Sequence, residues 1–258
     1  MATFDDLAPG ESITVSATLY TTYRQCPQQA LGRLQGFYPP TTRASFKGSL
    51  AHRIFARHLE SGPIAPDDFE MVCRQEVGAN LGGAMSSLHL KPSDFRSLVT
   101  EVGDLYQRFD AIPVDGFLEA EALLDHEPAS GVRLRGRVDA VFSDPGSDAV
   151  RIVDWKTGHD LEGSKPQLDF YAMAWTETHG QQPASLEALS LRTGEKVVVE
   201  PSHSDIDRVK GEVVSMIEEL RTAMESDTDL PRTAGPYCRW CPLLDDCSEG
   251  SVALAILA

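Results

Sequence analysis

The segment from Val150 to Gly158 constrains the fold most, because it places Asp154 and Lys156 near the end of a largely apolar strand that stops at a glycine. Side chains alternate between the two faces of a strand, so Asp154 and Lys156 project to one side while Val153 and Trp155 project to the other. A carboxylate beside an ammonium is costly to bury at the end of such a strand unless it has a role. The segment therefore indicates a functional site at the strand end.

A second strand precedes this one, from Leu134 to Phe142, and the pair Pro145-Gly146 between the two suits a type II turn. Folding the chain at this turn predicts an antiparallel pair in which Asp139 lies roughly opposite Asp154, about 5 Å away. Two carboxylates and Lys156 would then share one small patch, which predicts a metal site with a cation beside it. The alternative is an ordinary surface ion pair, because Asp-x-Lys is common on strands.

Two predicted helices carry further polar residues. Pro166 favours the first turn of a helix, and Gln167 and Tyr171 would share one face of it because they are four residues apart. An earlier apolar helix, from about residue 44 to 59, contains the segment Gly48 to His52. A lone histidine on such a helix is usually a packed or surface residue, so His52 gains weight only from its combination with the other residues.

Four of the five cysteines are candidates for one metal centre. Cys238, Cys241 and Cys247 form a C-x2-C-x5-C pattern, and Cys26 is the candidate for the fourth ligand. Four thiolates hold either a structural zinc ion or a 4Fe–4S cluster, and spacing alone does not separate the two. Disulfides are disfavoured in a reducing cytosol. Cys73 has no cysteine neighbours and is predicted to be a small buried residue.

Taken together, these residues resemble the RecB-like branch of the PD-(D/E)xK nuclease superfamily, in its iron–sulfur form. The resemblance runs from about residue 16 to residue 248 and depends on the order and spacing of motifs that are weak one by one. The matching pieces are Gly48 with His52, Glu121 (or Glu119 as the alternative), Gly136-Arg137-Val138-Asp139, Asp154-Trp155-Lys156, Gln167 with Tyr171, and one cysteine before these motifs with three after them.

The resemblance implies an α+β fold with a restriction-endonuclease-like core, in which helices flank a mixed central β-sheet. We expect a single nuclease domain over residues 1–258. It would comprise an N-terminal helical region (16–112), the core sheet and helix (113–200), and a helix with the C-terminal cysteines (201–258). An iron–sulfur clasp would close the long loop between the first cysteine and the last three. Within the helical region, the helix that begins near Pro66 is expected to end at Gly82-Gly83.

The same resemblance implies metal-dependent hydrolysis of phosphodiester bonds. The ion would be Mg²⁺ or Mn²⁺, because these hard cations suit oxygen ligands and imidazole favours Mn²⁺. Lys156 would lie beside the attacking water, and Glu121 would bind metal or orient that water. Gln167 and Tyr171 are expected to position Lys156 and contact substrate. The expected metal ligands are His52, Asp139, Asp154 and the backbone carbonyl of Trp155.

The charge balance is unusual for a nuclease. The chain has 39 acidic and 23 basic residues, which gives a net charge of −16, whereas proteins that contact phosphates normally present a basic surface to them. We expect most of the excess acid to be solvated surface, with a partner protein as one source of additional DNA-binding surface. Basic residues near His52 are Arg24, Arg33, Arg43, Lys47, Arg53 and Arg57, and Arg133, Arg135 and Arg137 precede Asp139. Aromatic candidates for stacking on bases are Tyr20, Tyr23, Phe37, Tyr38 and Phe46.

The resemblance implies DNA with free ends, above all single-stranded DNA, degraded by an exonuclease in DNA repair or recombination. One alternative is a nuclease subunit of a complex for CRISPR adaptation. Another is a non-catalytic iron–sulfur DNA-binding module, against which the intact set of Asp139, Asp154 and Lys156 argues. A phosphate-binding loop typical of helicase motors is missing from the sequence. Without a long apolar run or a signal peptide, a cytoplasmic protein that does not span a membrane is expected.

Overall fold

A mixed six-stranded sheet with helices on both faces forms the centre of the protein. The structure, a computed structural model, describes residues 3–144, 149–158 and 161–257, so the predicted Pro145-Gly146 turn lies outside the described residues. The strands are β1 (Ile13–Val15), β2 (Phe117–Ala129), β3 (Val132–Ser143), β4 (Val150–Lys156), β5 (Ser185–Ser190) and β6 (Lys196–Val199). The predicted fold class is confirmed.

Of the α-helices in the described residues, six lie between β1 and β2, one lies between β4 and β5, and two follow β6. These helices are α1 (Ala17–Gln25), α2 (Pro27–Leu34), α3 (Arg43–Ser61), α4 (Phe69–Glu76), α5 (Gly82–Ser87), α6 (Pro92–Asp110), α7 (Ser164–His179), α8 (His203–Ser226) and α9 (Ser248–Leu257). In the parts of the chain that the structure covers, no helix combines the length and the apolar character needed to cross a lipid bilayer.

Strand β3 organises the sheet, because it pairs with three other strands. It is antiparallel to β2 along most of its length. On its other side, residues 132–134 pair in parallel with β1 and residues 140–143 pair antiparallel with β4. The predicted antiparallel pairing of β3 with β4 is thereby confirmed. Strand β5 then continues the sheet in parallel to β4, and β6 is antiparallel to β5.

Two apolar cores cover the two faces of the sheet. In β4, Ile152 belongs to the first core, with α1, α7 and α8, whereas Val153 and Trp155 belong to the second, with α3 and α6. This division follows from the alternation of side chains along a strand. The residue pattern of β4 thus places Asp154 on the α7 side of the sheet.

Local signals explain most helix starts. Ser16 caps α1 by accepting a hydrogen bond from the Leu19 N–H, as expected for a hydroxyl at the N-cap. The expected stop at Gly82-Gly83 is wrong, because a π-helical turn over 77–81 is followed directly by α5. Glycine lowers helix propensity by only about 1 kcal/mol, and Leu81 and Met85 pack against the second core on either side of these glycines.

Candidate active site

The site begins where β3 and β4 separate. Their backbone pairing ends at Ala140 and Val153, and the next donor on β4, the Trp155 N–H, donates to Asp139 Oδ2 at 2.7 Å. A side-chain carboxylate therefore takes the place that a backbone carbonyl would occupy in a continuing ladder. This substitution brings Asp139 to the level of Asp154, as the sequence predicted.

The alternation of side chains between the two faces of the sheet shifts by one residue at Asp139 in β3. Val138 packs in the first core, yet Ala140, two residues further along β3, packs in the second. The β2–β3 register sets Glu121 opposite Asp139, and Glu121 has a φ of 52°. This left-handed backbone costs a non-glycine residue of order 1–3 kcal/mol. Both strands are thus distorted at the same level, and the distortion directs two carboxylates to one place.

Helix α3 adds an imidazole to this pair of carboxylates. His52 Nδ1 donates to Asp139 Oδ1 at 2.9 Å. His52, Glu121 and Asp139 can each offer one ligand atom such that all three atoms lie within 4.8 Å of one another, and this is the one such group among the described residues. Burial lowers the pKa of His52, but the charges of Asp139, Asp154 and Glu121 outweigh it and raise the pKa to about 9.

Lys156 is held from two sides. Its Nζ lies 2.7 Å from Asp154 Oδ2 and donates to Gln167 Oε1 at 2.6 Å. The amide of Gln167 in turn donates from Nε2 to Asp154 Oδ1 at 3.0 Å and to the Tyr171 hydroxyl at 3.1 Å. Gln167 and Tyr171 therefore share one face of α7, and the network leaves the ammonium little freedom to move.

Asp154 is a buried acid of the site. Its side chain is 6% exposed, and burial together with the charge of Asp139 raises its pKa to about 6, despite the opposing effect of Lys156. Its buried Oδ2 contacts the ammonium but has no hydrogen bond of good geometry among the described residues. Asp154 lies outside the group formed by His52, Glu121 and Asp139, but a carboxylate oxygen with an uncommitted lone pair is a ligand that suits a hard divalent cation.

The backbone carbonyl of Trp155 is the remaining predicted metal ligand. A strand residue directs its N–H and C=O toward the same neighbour, and the Trp155 N–H points at Asp139. The carbonyl of Trp155 is therefore oriented toward the side of β4 on which the carboxylates lie. Glu119, the alternative to Glu121, is exposed to solvent and is outside the metal-ligand group.

The cysteines form a second set, between α2 and the C-terminal segment. Cys26, Cys241 and Cys247 line one cavity, and a Cβ atom at Gly250 would lie 3.4 Å from Cys247 Sγ and 3.5 Å from Cys238 Sγ. The backbone N–H groups of Gly235 and Gly250 donate to the sulfurs of Cys238 and Cys247, each at 3.3 Å. Cys73 is fully buried in the second core, away from this set.

The stacking candidates separate into three groups by burial. Tyr20 and Phe46 are each 1% exposed and belong to the cores, so their proposed contact with bases is wrong. Tyr23 is half-buried and its hydroxyl donates to Glu219. Phe37 and Tyr38 are exposed just before α3, and the guanidinium of Arg33 lies 5.3 Å from the centre of the Tyr38 ring.

Two arginines of the site were named from the sequence only among the nearby basic residues, without a predicted contact to Glu121. Arg53 and Arg137 both contact Glu121, and both line the cavity that contains His52. Their positions carried a signal, because Arg53 follows His52 directly and Arg137 lies two residues before Asp139 on the same strand.

Comparison with known families agrees with this geometry. The model of the PD-(D/E)XK nuclease superfamily matches residues 14–248. The chain belongs to this superfamily. PD-(D/E)XK nucleases use divalent metal ions, and the group of His52, Glu121 and Asp139 is a site where this member can hold one.

Solved structures share the fold of this PD-(D/E)XK protein. A protein from Eubacterium rectale, provisionally described as an exonuclease, aligns with a TM-score of 0.54 at 13% identity over 90% of this chain and 86% of its own. The alkaline exonuclease of Laribacter hongkongensis aligns with a TM-score of 0.33 at 14% identity, over 71% of this chain and 95% of its own. The first likeness concerns the fold alone, and the second supports no conclusion. No curated protein matches the chain in sequence.

Proposed function

We propose that this chain is a metal-dependent deoxyribonuclease that hydrolyses phosphodiester bonds at the free ends of single-stranded DNA. The observation that supports this proposal is the meeting of Asp139, Asp154 and Lys156 at the point where two strands separate. The ions would be Mg²⁺ or Mn²⁺, held by His52, Asp139, Asp154 and the Trp155 carbonyl, with Glu121 beside them. Such ions activate water and stabilise negative charge on the phosphate.

The protein side chains have distinct tasks in this proposal. Lys156 presents its ammonium beside the position of the attacking water, where it stabilises the developing negative charge. Gln167 fixes that ammonium by accepting from Nζ, and Asp154 fixes it from the other side. Tyr171 orients the Gln167 amide. Asp139 holds both the backbone of β4 and the imidazole of His52, so it aligns the strand end with α3.

A single-stranded substrate is supported by the exposed aromatic pair. Phe37 is 49% exposed and Tyr38 is 62% exposed, and both precede α3, the helix that carries His52. Stacking of a base on an aromatic ring contributes about 1–3 kcal/mol without sequence preference. A role in DNA repair or recombination would use this sequence tolerance.

The decisive experiment is a cleavage assay that compares alanine substitutions of two lysines, Lys156 on β4 and Lys165 on α7. Protein stripped of metal is given Mn²⁺ or Mg²⁺ with end-labelled linear single-stranded DNA or with a closed circle of the same sequence. We expect cleavage of the linear strand alone, and loss of cleavage by more than about 10³-fold in Lys156→Ala and Asp139→Asn. Lys165→Ala is the matched control, because Lys165 also pairs with a buried aspartate, Asp169, but its own side chain is 60% exposed. Full activity of Lys156→Ala would refute the proposal.

We infer in addition that Cys26, Cys238, Cys241 and Cys247 hold a 4Fe–4S cluster, as in the iron–sulfur form of the RecB-like branch. Three of the four line one cavity, and two of the sulfurs accept backbone N–H donors, the kind of contact that tunes such clusters. A zinc ion would require the sulfurs to lie about 3.8 Å apart, given bonds of about 2.3 Å. Within the described residues, the four sulfurs do not form so compact a group.

A second candidate function is that of a nuclease subunit in a larger complex, such as one for CRISPR adaptation. Exposed apolar side chains near the cysteines favour it: Trp240 is 62% exposed, and Val252 and Ile256 on α9 are 61% and 79% exposed. A partner on this surface would also compensate for the acidic charge. If the purified chain alone degrades DNA at full rate at physiological ionic strength, such a partner is not required.

A further inference from the structure

Two guanidinium groups meet on a single carboxylate oxygen in the cavity. Arg53, on α3, lies 3.4 Å from Glu121 Oε2, and Arg137, on β3, lies 3.0 Å from the same oxygen. Glu121 has the left-handed backbone described above, and its side chain is only 16% exposed. A strained, largely buried carboxylate thus holds two cationic side chains from different elements at a fixed separation.

Both arginines reach the solvent side of the candidate metal site. They line a cavity of about 500 Å³ together with Gly48, Ser49, His52 and Glu121. The side chain of Arg53 is 31% exposed and that of Arg137 is 45% exposed. A ligand in this cavity can therefore contact the guanidinium groups and the candidate metal ligand His52 at the same time.

The charge around these arginines differs from that around other basic residues. Arg133, on the same strand, has a carboxylate of its own, because Asp125 accepts from Nε at 2.5 Å and from Nη2 at 2.6 Å. Arg53 and Arg137 instead share one carboxylate, which leaves an excess of positive charge in the cavity. A guanidinium provides several donors in a planar fork that matches the oxygens of a phosphate.

We propose that Arg53 and Arg137 bind a backbone phosphate of the nucleic-acid strand, adjacent to the phosphate that is cut. This inference rests on the proposed nuclease function and names the residues that attach the strand. Glu121 holds both side chains in place before the nucleic-acid strand binds. Its single negative charge neutralises only one of their two positive charges. An acidic protein can thus bind an acidic polymer through a local cationic pair.

Binding without metal tests this inference apart from catalysis. Fluorescence anisotropy of labelled oligothymidylate is measured in EDTA over a series of salt concentrations. We expect Arg53→Gln and Arg137→Gln each to weaken binding about ten- to hundredfold, as for loss of hydrogen bonds to a charged group. The double variant Arg53→Gln/Arg137→Gln should also reduce the slope of log affinity against log salt by about 0.7, because both side chains contact one phosphate and this is the value for one such contact on a single strand.

Two variants separate binding from structure. Arg133→Gln removes a cation from the same strand and should leave both affinity and slope unchanged. Arg137→Lys keeps the charge and should retain the slope with a smaller loss of affinity. A fall in affinity that lysine does not restore, accompanied by a lower melting temperature, would assign the arginines to holding Glu121 and would overturn the inference.

The outcome for the wild type distinguishes the two proposals. If it cleaves DNA in a Lys156-dependent manner while the double glutamine variant keeps the wild-type salt slope, the phosphate-binding role is wrong and the nuclease proposal stands. If the wild type neither binds nor cleaves nucleic acid, both proposals are wrong.

Discussion

Gly48 approaches Thr157 so closely that a Cβ atom at position 48 would lie 3.3 Å from Thr157 Oγ1. Gly48 lies one helical turn before His52 on α3, and Thr157 directly follows Lys156. The close approach therefore sets the distance between the helix that carries the imidazole and the strand that carries the aspartate and the lysine. It gives a physical reason for a glycine at this position of the helix.

Enlarging residue 48 should move α3 away from the strand. We expect Gly48→Val to lower the free energy of unfolding by about 1–3 kcal/mol, the usual effect of overpacking, and to weaken Mn²⁺ binding because His52 moves with the helix. Thermal unfolding and a Mn²⁺ titration followed by electron paramagnetic resonance provide the readouts. Gly83→Val is the matched control, since nothing lies within 4 Å of a Cβ at that exposed position. Equal effects of the two substitutions would contradict this account.

Removal of the Gln167 side chain should slow the reaction without releasing metal. Gln167→Ala deletes the acceptor for Lys156 and the donor to Asp154, so the ammonium loses its fixed position. Misplacement of a reacting group by about 1 Å can reduce the rate about 10²-fold, and we expect kcat to fall by about 10- to 100-fold while Mn²⁺ affinity stays within about twofold.

Tyr171→Phe serves as the companion variant for Gln167. It removes only the hydroxyl that accepts from the Gln167 amide, so its effect on kcat should be smaller than that of Gln167→Ala. Single-turnover cleavage and Mn²⁺ titration of both proteins would check the order. A Gln167→Ala enzyme with wild-type kcat would show that Lys156 needs no such support.

Replacement of Cys26 should destabilise the protein and remove iron. A cluster that joins Cys26 to Cys238 closes a very long loop, which constrains the unfolded chain. We expect Cys26→Ala to lose bound iron and visible absorption and to melt at a lower temperature than the wild type. Cys73→Ala also alters a buried cysteine but should retain the iron. Iron content unaffected by Cys26→Ala would refute the assignment of the cluster.

The pair of helices α3 and α6 should lose stability in acid. Hydrogen bonds from Arg43 and Lys47 lower the pKa of Glu101 from its ordinary 4.5 to about 2. Because the folded-state pKa is the lower one, this contribution is fully present above pH 4.5 and is lost as the pH falls toward 2. The side chain of Glu101 is 32% exposed, so solvent screening limits the contribution to about 1 kcal/mol.

Urea unfolding at several pH values would measure this effect. Glu101→Gln should be less stable than the wild type at neutral pH, and the difference should shrink steadily as the pH falls below 4.5. A difference that stays constant over this range would show that the ion pairs do not contribute in the expected way.

Local signals in the sequence predicted much of the framework. The alternation in β4 and the proline in the first turn of α7 act over a few residues, so each can be recognised without the rest of the chain. The antiparallel placement of Asp139 beside Asp154 followed from the same short-range rules. The pairing of Gln167 with Tyr171 required only the helical repeat.

Features that depend on contacts between distant elements were not predictable. The shifted alternation at Asp139 and the left-handed backbone of Glu121 exist because β2, β3 and α3 converge there. The continuation of helix at Gly82 depends on apolar neighbours from the second core. The burial of Tyr20 and Phe46 was likewise decided by packing partners that no short segment reveals.

The attachment of α2 has a consequence for how the protein is made. Gln28 Nε2 donates to Asp229 Oδ1 across 201 residues, Gln28 Oε1 accepts from the Leu230 N–H, and Gly32 packs against Leu243. While the ribosome is still extending the chain, α2 has none of these partners. Its inner surface stays uncovered until α8 and the segment after it have emerged, so nascent chains that stall before Asp229 should be favoured targets for chaperones and proteases.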